Sequence, residues 1–271
     1  MTSIQAQNLT LSYGQKAIFS NLDILVPPRK ITVFIGSNGC GKSTLLRSLA
    51  RLLKPQVGTI LLDGSEIAKL SSKEIARRLA ILPQGPVAPE GLTVHQLVKQ
   101  GRYPYQSWLQ QWSHEDEKMV QKALQVTHMD ELSSRTIDSL SGGQRQRAWI
   151  AMTLAQNTPT ILLDEPTTYL DMTHQIEILD LLFDLNEQEK RTIVMVLHDI
   201  NLACRYAHHI VAVKDGHIYA QGTPETMMTK ELIHDVFDME CQMTVDPIFG
   251  TPMCIPYGKG RKLPLTAVNQ R

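Results

Sequence analysis

Residues 36–44 carry the residue types and spacing that bind a phosphate chain. They read Gly-Ser-Asn-Gly-Cys-Gly-Lys-Ser-Thr, which matches the phosphate-loop pattern G-x-x-x-x-G-K-[ST]. The glycines let backbone N–H groups approach phosphate oxygens, and the start of the following helix adds roughly half an elementary positive charge. Lys42 would add a full charge beside the β- and γ-phosphates, and the Ser43 hydroxyl is an oxygen ligand of the kind that Mg²⁺ prefers. We therefore expect nucleotide contacts from Gly36, Ser37, Asn38, Gly39, Cys40, Gly41, Lys42, Ser43 and Thr44.

The segments around this loop favour a nucleotide site over a glycine-rich turn that matches the pattern by chance. Before the loop, Ile31-Thr-Val-Phe-Ile35 is a short apolar and β-branched run, as expected of a strand. After it, residues 44–53 have apolar side chains at helical spacing. A phosphate loop requires a strand before it and a helix after it, so the context agrees with the motif.

Polar side chains at the ends of other apolar runs could complete the site. Gln84, Asp164, Glu165 and His198 each follow such a run. Continuous apolar strands that alternate with helices indicate a mostly parallel sheet, whose carboxyl ends meet at one edge. We expect Asp164 to hold Mg²⁺ together with Ser43, and Glu165 to act as the base that orients the attacking water in phosphoryl transfer. A solvated Asp-Glu pair is the alternative interpretation.

Bulk composition argues against several function classes. The 271 residues include 27 basic and 27 acidic side chains, so the net charge gives no attraction to nucleic acid or to anionic lipid. The four cysteines form no C-x-x-C pair, which argues against a zinc site or a disulfide framework and favours a reducing cytosol. The N-terminus lacks signal-peptide features, and no window approaches the ~20 apolar residues of a membrane helix. Any membrane role is therefore expected to need a partner.

The order of the apolar runs predicts an α/β fold. We expect a P-loop NTPase core with a mostly parallel sheet, an antiparallel β subdomain and an inserted α-helical subdomain. Residues 2–245 would form one domain, in which residues 2–84 and 155–245 are the nucleotide-binding core and residues 85–154 are the helical insertion. The tail, residues 246–271, contains four prolines and three glycines and is expected to be irregular.

Local signals predict where individual helices begin. Thr-Val-His-Gln at 93–96 and Ser-His-Glu-Asp at 113–116 read as capping boxes for two helices of the insertion. Thr-Pro at 223–224 places an N-cap residue before a proline, which predicts the start of one last helix.

Residues 101–112 lie between the two capped helices and contain four aromatic side chains and a proline. Two interpretations remain open for this aromatic segment. It is either a loop folded over the insertion's own core or a surface that contacts another protein.

Leu140-Ser-Gly-Gly-Gln144 resembles the signature motif of the ATP-binding cassette (ABC) ATPases. Other motifs of that family occur in the family's order over about residues 2–240. They are Walker A at residues 36–44, the Q-loop at Gln84, Walker B at Ile161-Leu-Leu-Asp-Glu-Pro166, the D-loop at Leu170-Asp171 and the H-loop at His198. Ser37 stands where the family usually has proline, and Thr168-Tyr169 stand where small residues are commoner, but neither change removes a ligand.

The resemblance implies that the chain hydrolyses ATP with Mg²⁺ as a homodimer. Two chains would close head to tail on two ATP molecules, each held between Walker A of one chain and the signature of the other. Ser141 would cap a helix whose N-terminus is suited to an anion. The γ-phosphate contacts across the dimer would come from Ser141, Gly142, Gly143 and Gln144.

The resemblance also implies roles for three single residues. Tyr13 would stack on the adenine, although a tyrosine that packs between strands is the alternative. His198 would contact the γ-phosphate and steady the attacking water, whereas a structural histidine is the alternative. Gln84 would reach Mg²⁺ or the water and lie at the hinge with the helical insertion.

A single set of motifs without a membrane span resembles the separate ATPase subunit of an importer. Such a subunit is peripheral at the cytoplasmic face of the inner membrane, binds integral permease subunits and works indirectly with a substrate-binding protein. The alternative is a soluble ABC protein of translation or DNA repair, but those resemble fused cassettes or carry long coiled-coil insertions. The chain has no basic tract, so we expect no nucleic-acid partner.

Two further segments resemble one subfamily of importers. Gly101-Arg-Tyr-Pro-Tyr, with Ser113-x-Glu-Asp116 downstream, and His198-Asp-Ile-Asn-Leu-Ala203 are similar to segments of the ATPases that serve iron–siderophore, haem and vitamin B12 permeases. A ferric siderophore is the expected cargo, and cobalamin and haem are the alternatives.

Overall fold

The computed structural model describes residues 3–13, 16–107, 112–168 and 170–260. The strands, in chain order, are β1 (Ile4–Tyr13), β2 (Lys16–Val26), β3 (Ile31–Ile35), β4 (Val57–Leu62), β5 (Ser65–Glu66), β6 (Leu79–Leu82), β7 (Thr160–Asp164), β8 (Thr192–Val196), β9 (His209–Lys214), β10 (His217–Gly222), β11 (Cys241–Val245) and β12 (Pro252–Pro256). The α-helices are α1 (Lys42–Leu49), α2 (Ser72–Arg78), α3 (Val94–Gln100), α4 (His114–Val126), α5 (Gly142–Ala155), α6 (Met172–Glu189), α7 (Ile200–Tyr206), α8 (Pro224–Met227) and α9 (Lys230–Phe237). Within the described ranges, no helix has the length and apolar character that crossing a bilayer requires.

The central sheet has the strand order β10-β9-β3-β8-β7-β6, and β10 alone among its described strands runs antiparallel to its neighbour. Every residue of β3, β7 and β8 is buried, as expected for parallel strands that are covered on both faces. A second, antiparallel sheet has the order β2-β1-β4-β5. This is the predicted combination of a parallel core and an antiparallel β subdomain.

Alternate side chains of β3 enter two different apolar cores. Ile31, Val33 and Ile35 pack with side chains from the helical insertion and α6, whereas Phe34 packs with α1, β1 and β2. This follows from the two-residue period of a strand. Leu45 in α1 belongs to the same core as Phe34. The loop between β3 and α1 is therefore anchored at both ends by buried side chains.

The helical insertion contains α3, α4 and α5, and the predicted capping boxes at Thr93 and Ser113 are confirmed. In the aromatic segment, Arg102 is buried. Its Nε donates to Asp116 Oδ1 at 2.9 Å, and its Nη1 donates to the Ala155 carbonyl at 2.9 Å. Arg102 thus links the aromatic segment to α4 and to the C-terminal end of α5.

Replacing Arg102 with alanine should destabilise the insertion. The change leaves the Asp116 carboxylate buried without its cation, and removing one partner of a buried ion pair costs about 3–5 kcal/mol. Chemical denaturation followed by circular dichroism measures this loss in the free energy of unfolding. The double variant Arg102→Met/Asp116→Leu should lose less, because no unpaired charge remains buried. An alanine variant as stable as the wild type would contradict the prediction.

The C-terminal region differs from the prediction in two places. A single last helix was expected, but α8 and α9 are separate because the Thr229 side chain accepts a hydrogen bond from the Leu232 N–H and starts a new helix. The tail was expected to be irregular, whereas β12 pairs with β11. Asn201 in α7 explains this: it donates to the Cys254 carbonyl and accepts from its N–H, at 3.1 and 2.8 Å. The division into core, insertion and tail stays a prediction.

Candidate active site

The glycine-rich loop packs closely around Gly41. The φ of Gly41 is 110°, in the left-handed region, and a Cβ there would come within 2.5 Å of the Phe19 ring. Only glycine therefore lets the loop turn into α1 at this point. Lys42 begins the helix, and its buried Nζ donates to the carbonyls of Gly36 and Ser37, both at 2.9 Å. The ammonium is thus held at the centre of the loop, where a phosphate chain would meet it.

A cleft of about 400 Å³ lies over this loop and brings together nine of the predicted site residues. It is lined by Ile18, Asn38, Gly39, Gly41, Lys42, Ser43, Thr44, Gln84, Glu165 and His198. The segments that follow β3, β6, β7 and β8 thus contribute to one site, as expected at the carboxyl edge of a parallel sheet. Among the other predicted loop residues, Ser37 is exposed, whereas Gly36 and Cys40 are buried in the loop itself.

Ser43 and Asp164 form the candidate magnesium site. Ser43 Oγ donates a hydrogen bond to Asp164 Oδ1 at 2.8 Å. Asp164 is 2% exposed, and this burial raises the pKa of its carboxyl, an effect that the Ser43 hydrogen bond offsets only in part. A hydroxyl and a carboxylate oxygen side by side fit the hard oxygen ligands that Mg²⁺ prefers. A bound cation would also offset the cost of burying the negative charge.

Glu165 is held in position by two neighbours. Its Oε1 lies 2.7 Å from Nε2 of His198, and its Oε2 accepts a hydrogen bond from Thr168 Oγ1 at 3.0 Å. Burial alone would raise the pKa of Glu165, but the hydrogen bonds from His198 and Thr168 outweigh burial and hold the pKa below its ordinary value. The carboxylate is therefore ionised at neutral pH, which is the form that can accept a proton from water.

The sequence patterns do not single out two residues that the structure brings to the site. Thr168 lies three residues after Glu165 in a turn, and that spacing was the one available signal. Ile18 lies in β2, and its place in the cleft depends on a pairing with β1 that contains register shifts, so no sequence signal marks it. The side chain of Tyr13 lies outside the described residues, and its contact with adenine stays a prediction.

The signature residues form a helix start that is separate from the cleft lining. Ser141 Oγ accepts a hydrogen bond from the Gln144 N–H at 3.2 Å, and Gln144 Oε1 accepts from the Ser141 N–H at 3.1 Å. Ser141 and Gly142 are exposed, and Gly143 approaches the Leu170 side chain. No signature residue is among the described residues that line the cleft. The predicted γ-phosphate contact would therefore come from a second copy, and it stays a prediction.

Replacing Asp164 with asparagine should raise the melting temperature of the chain alone near pH 7, by about 2–4 °C for each kcal/mol that the buried charge costs. Because folding raises the pKa of Asp164, the ionised carboxylate costs stability above that pKa. The cost disappears as the pH falls toward the ordinary value of 3.8, so the difference should shrink in acid. Calorimetry between neutral and acidic pH measures it. Glu165→Gln removes a carboxylate that folding stabilises and should shift the melting temperature downward; upward shifts for both variants would count against this account.

Comparison with known proteins identifies relatives of this chain. The family model described as "ABC transporter" matches residues 19–168. The chain is 69% identical over 261 residues to "Probable siderophore transport system ATP-binding protein YusV" of Bacillus subtilis (strain 168), covering 96% of this chain and 95% of that protein. It is 67% identical over 261 residues to "Petrobactin import ATP-binding protein FpuD" of Bacillus anthracis, covering 96% of each.

A solved structure gives the same result for the fold. The dimeric structure of MJ0796, a bacterial ABC transporter cassette, matches with a TM-score of 0.74 at 29% sequence identity. The match covers 81% of this chain and 98% of that chain. The predicted α/β fold of the P-loop NTPase type is confirmed.

Proposed function

This chain belongs to the ABC transporter family, and from that membership we propose that it is the ATP-hydrolysing subunit that powers import of an iron–siderophore complex through a membrane permease. The observation that carries the proposal is the gathering of Lys42, the Ser43–Asp164 pair and the Glu165–His198 pair at one cleft. These are the groups that phosphoryl transfer to water needs: charge neutralisation, metal ligands and a positioned base.

Lys42, the Ser43–Asp164 pair and the Glu165–His198 pair have separate tasks in hydrolysis. Lys42 and the loop N–H groups bind the β- and γ-phosphates and neutralise their charge. Ser43 and Asp164 would hold Mg²⁺, which supplies further neutralisation of charge on the phosphate oxygens. The Glu165 carboxylate orients the attacking water and accepts its proton, and His198 fixes that carboxylate from 2.7 Å away.

The working unit is a homodimer. The exposed helix start at Ser141 and Gly142 is suited to an anion, yet it does not line the cleft of its own chain. Two copies arranged head to tail would bring the signature of each chain onto the γ-phosphate held by the other. ATP is then part of the interface, and its hydrolysis removes the contact that keeps the dimer closed. The dimeric structure of the similar bacterial cassette supports a dimer as the working unit.

The aromatic segment is the surface we assign to the permease. Its interior residues Arg102 and Pro104 are buried, but Tyr103 is 68% exposed. Tyr103 borders a second cleft on the insertion, where Lys99 Nζ lies 4.0 Å from the centre of the Trp112 ring. The burial of Arg102 and Pro104 supports the first interpretation for one part of the segment. For the other part we propose that Tyr103, together with Lys99 of the neighbouring α3, offers a ring and a cation to a partner. Docking there would hold the chain at the cytoplasmic face of the inner membrane.

The cargo proposal rests on the named functions of the relatives. Those functions are siderophore transport and petrobactin import. The cargo is selected by the permease and, indirectly, by a substrate-binding protein. This chain provides the free energy of ATP hydrolysis and does not recognise the cargo. Import of cobalamin or haem and a soluble ABC ATPase without a permease are the alternatives.

Uptake of a radiolabelled ferric siderophore tests the proposal. Deleting the gene in its host should abolish uptake of ferric petrobactin or of the host's own ferric siderophore, and the wild-type gene should restore it. A Glu165→Gln gene should not restore uptake. If the deletion strain instead lost uptake of labelled cobalamin or haem, that compound would be the cargo. Recovery of ribosomes or DNA, rather than a permease, with the tagged chain from membranes would overturn the transport role.

A further inference from the structure

Helix α2 makes contacts to the insertion that the nucleotide chemistry does not use. Lys73 Nζ donates to the Gln106 carbonyl at 2.9 Å, and Arg77 Nε donates to the Pro104 carbonyl at 3.0 Å. The two cations also lie over aromatic rings of the turn Tyr103–Tyr105, at 5.9 and 5.6 Å from the ring centres. We call Lys73 and Arg77 the α2 latch. It grips the part of the aromatic segment that we assign to the permease.

The two residues just before the gripped segment, Gly101 and Arg102, are packed tightly against the end of the signature helix α5. A Cβ on Gly101 would come within 2.2 Å of the Met152 carbonyl oxygen, so only glycine allows this approach. Next to it, Arg102 donates to the Ala155 carbonyl and stacks on the Tyr105 ring at 4.0 Å. Close-packed contacts of this kind leave little room for relative movement, and they transmit displacement.

A third contact joins α5 to α2 directly. Gln156, the residue after α5, donates from its side chain to the carbonyls of Ala76 and Leu79, the second at 3.1 Å. Leu79 is the first residue of β6, which begins where α2 ends. The permease-facing segment, the signature helix and the strand that leads to Gln84 therefore meet at α2.

The peptide that links Gln84 to the insertion has fewer stabilising contacts than the junction at α2. Residues 83–92 form turns and irregular chain, and Val87 within them is 89% exposed. Irregular chain with few buried contacts deforms when one end is displaced, whereas a hydrogen-bonded helix moves as a unit. A displacement of residues 103–106 should thus reach Gln84 through α2 and β6 before it passes along the linking peptide.

We propose that the α2 latch positions Gln84 and the signature helix according to the state of the permease. Lys73 and Arg77 hold residues 103–106 against α2, so that a push on this segment shifts β6 and the end of α5 together. The proposal rests on the proposed function for the identity of the partner, but the mechanical link belongs to the chain alone. Arg77 and Lys73 are positioning residues, because neither lines the nucleotide cleft.

Amide hydrogen exchange on the isolated chain tests the link without any transport assay. Arg77→Ala should accelerate exchange about tenfold in the peptides that contain residues 103–106 and residues 79–86. The matched control is Arg78→Ala, which removes the neighbouring arginine of the same helix, whose Nη1 lies 4.0 Å from Asp63. The control should leave both peptides at the wild-type rate. Acceleration confined to residues 103–106, or equal acceleration in the control, would overturn the proposal.

Transport measurements then separate positioning from simple loss of structure. The isolated Arg77→Ala chain should hydrolyse ATP at a basal rate within about twofold of the wild-type chain. In proteoliposomes with the co-purified permease, the number of ferric petrobactin molecules moved per ATP should fall about tenfold, within the usual range of coupling between sites. Arg77→Lys keeps a cationic donor and should recover part of the loss. Unchanged coupling would overturn the latch, whereas a wild-type complex that moves no ferric siderophore would overturn the proposed function and leave the exchange test standing.

Discussion

Replacing Lys42 with alanine should reduce ATP turnover by about 10²–10³-fold, the loss typical for one preorganised charge-stabilising group. Lys42 is the one lysine or arginine among the described residues that line the cleft, so no neighbour there supplies its charge. Its ammonium is buried and held by the carbonyls of Gly36 and Ser37, which keeps it directed into the loop. Phosphate release by the purified variant, with labelled ATP binding measured beside it, checks the effect.

The control for this change is Lys54→Ala. Lys54 is an exposed lysine that follows the opposite end of α1, and it does not line the nucleotide cleft. Its variant should hydrolyse ATP at the wild-type rate, and melting curves should show that both variants are folded. If the Lys42→Ala variant kept more than a small fraction of the wild-type ATPase activity, the loop would not have the phosphate-binding role that we assign to it.

Replacing Glu165 with glutamine should slow hydrolysis about 10²-fold or more while ATP binding remains. Glutamine has the shape of glutamate and can still accept the hydrogen bond from Thr168, but its amide is not a base. Because hydrolysis is the step that reopens the proposed dimer, the variant should accumulate as a dimer with MgATP. Size-exclusion chromatography with light scattering, with and without ATP, measures the dimer fraction.

Two comparisons make the dimer prediction specific. Glu225→Gln changes an exposed carboxylate in α8, outside the cleft lining, and should leave both turnover and dimerisation unchanged. Adding Gly142→Asp to the Glu165→Gln variant should return it to a monomer, because a carboxylate at this helix start repels a γ-phosphate and is itself well tolerated there. A Glu165→Gln chain that stays monomeric with MgATP would contradict the head-to-tail arrangement.

Much of the fold could be predicted because its signals are short. The capping boxes at Thr93 and Ser113 lie within windows of four residues, and the structure confirms them. The buried strands β7 and β8 are continuous apolar runs, which marks parallel strands covered on both faces. The convergence of Gln84, Glu165 and His198 at one cleft followed from a general rule about sheet edges.

The features that could not be predicted depend on partners far along the chain. The strand β12 forms in a proline-rich tail because Asn201, 53 residues before Cys254, satisfies both of its backbone groups. The burial of Arg102 depends on Asp116 in the next helix and on the end of α5. Neither relation has a local sequence signature, since each is created only when helices pack together.

The sequence by itself determined which residues are candidates for the chemistry: a phosphate loop, a carboxylate pair and a histidine, spaced so that a parallel sheet brings them to one edge. Covalent spacing and strand register are sufficient for that, because each motif carries its own geometry. Only the tertiary structure decided which side chains hold those groups in place. Thr168 and His198 fix Glu165, Ile18 forms part of the cleft wall, and α2 joins the aromatic segment to β6. Except for the contact of Thr168 with Glu165, three residues before it, these contacts join residues far apart in the chain, where packing rather than local propensity selects the partners.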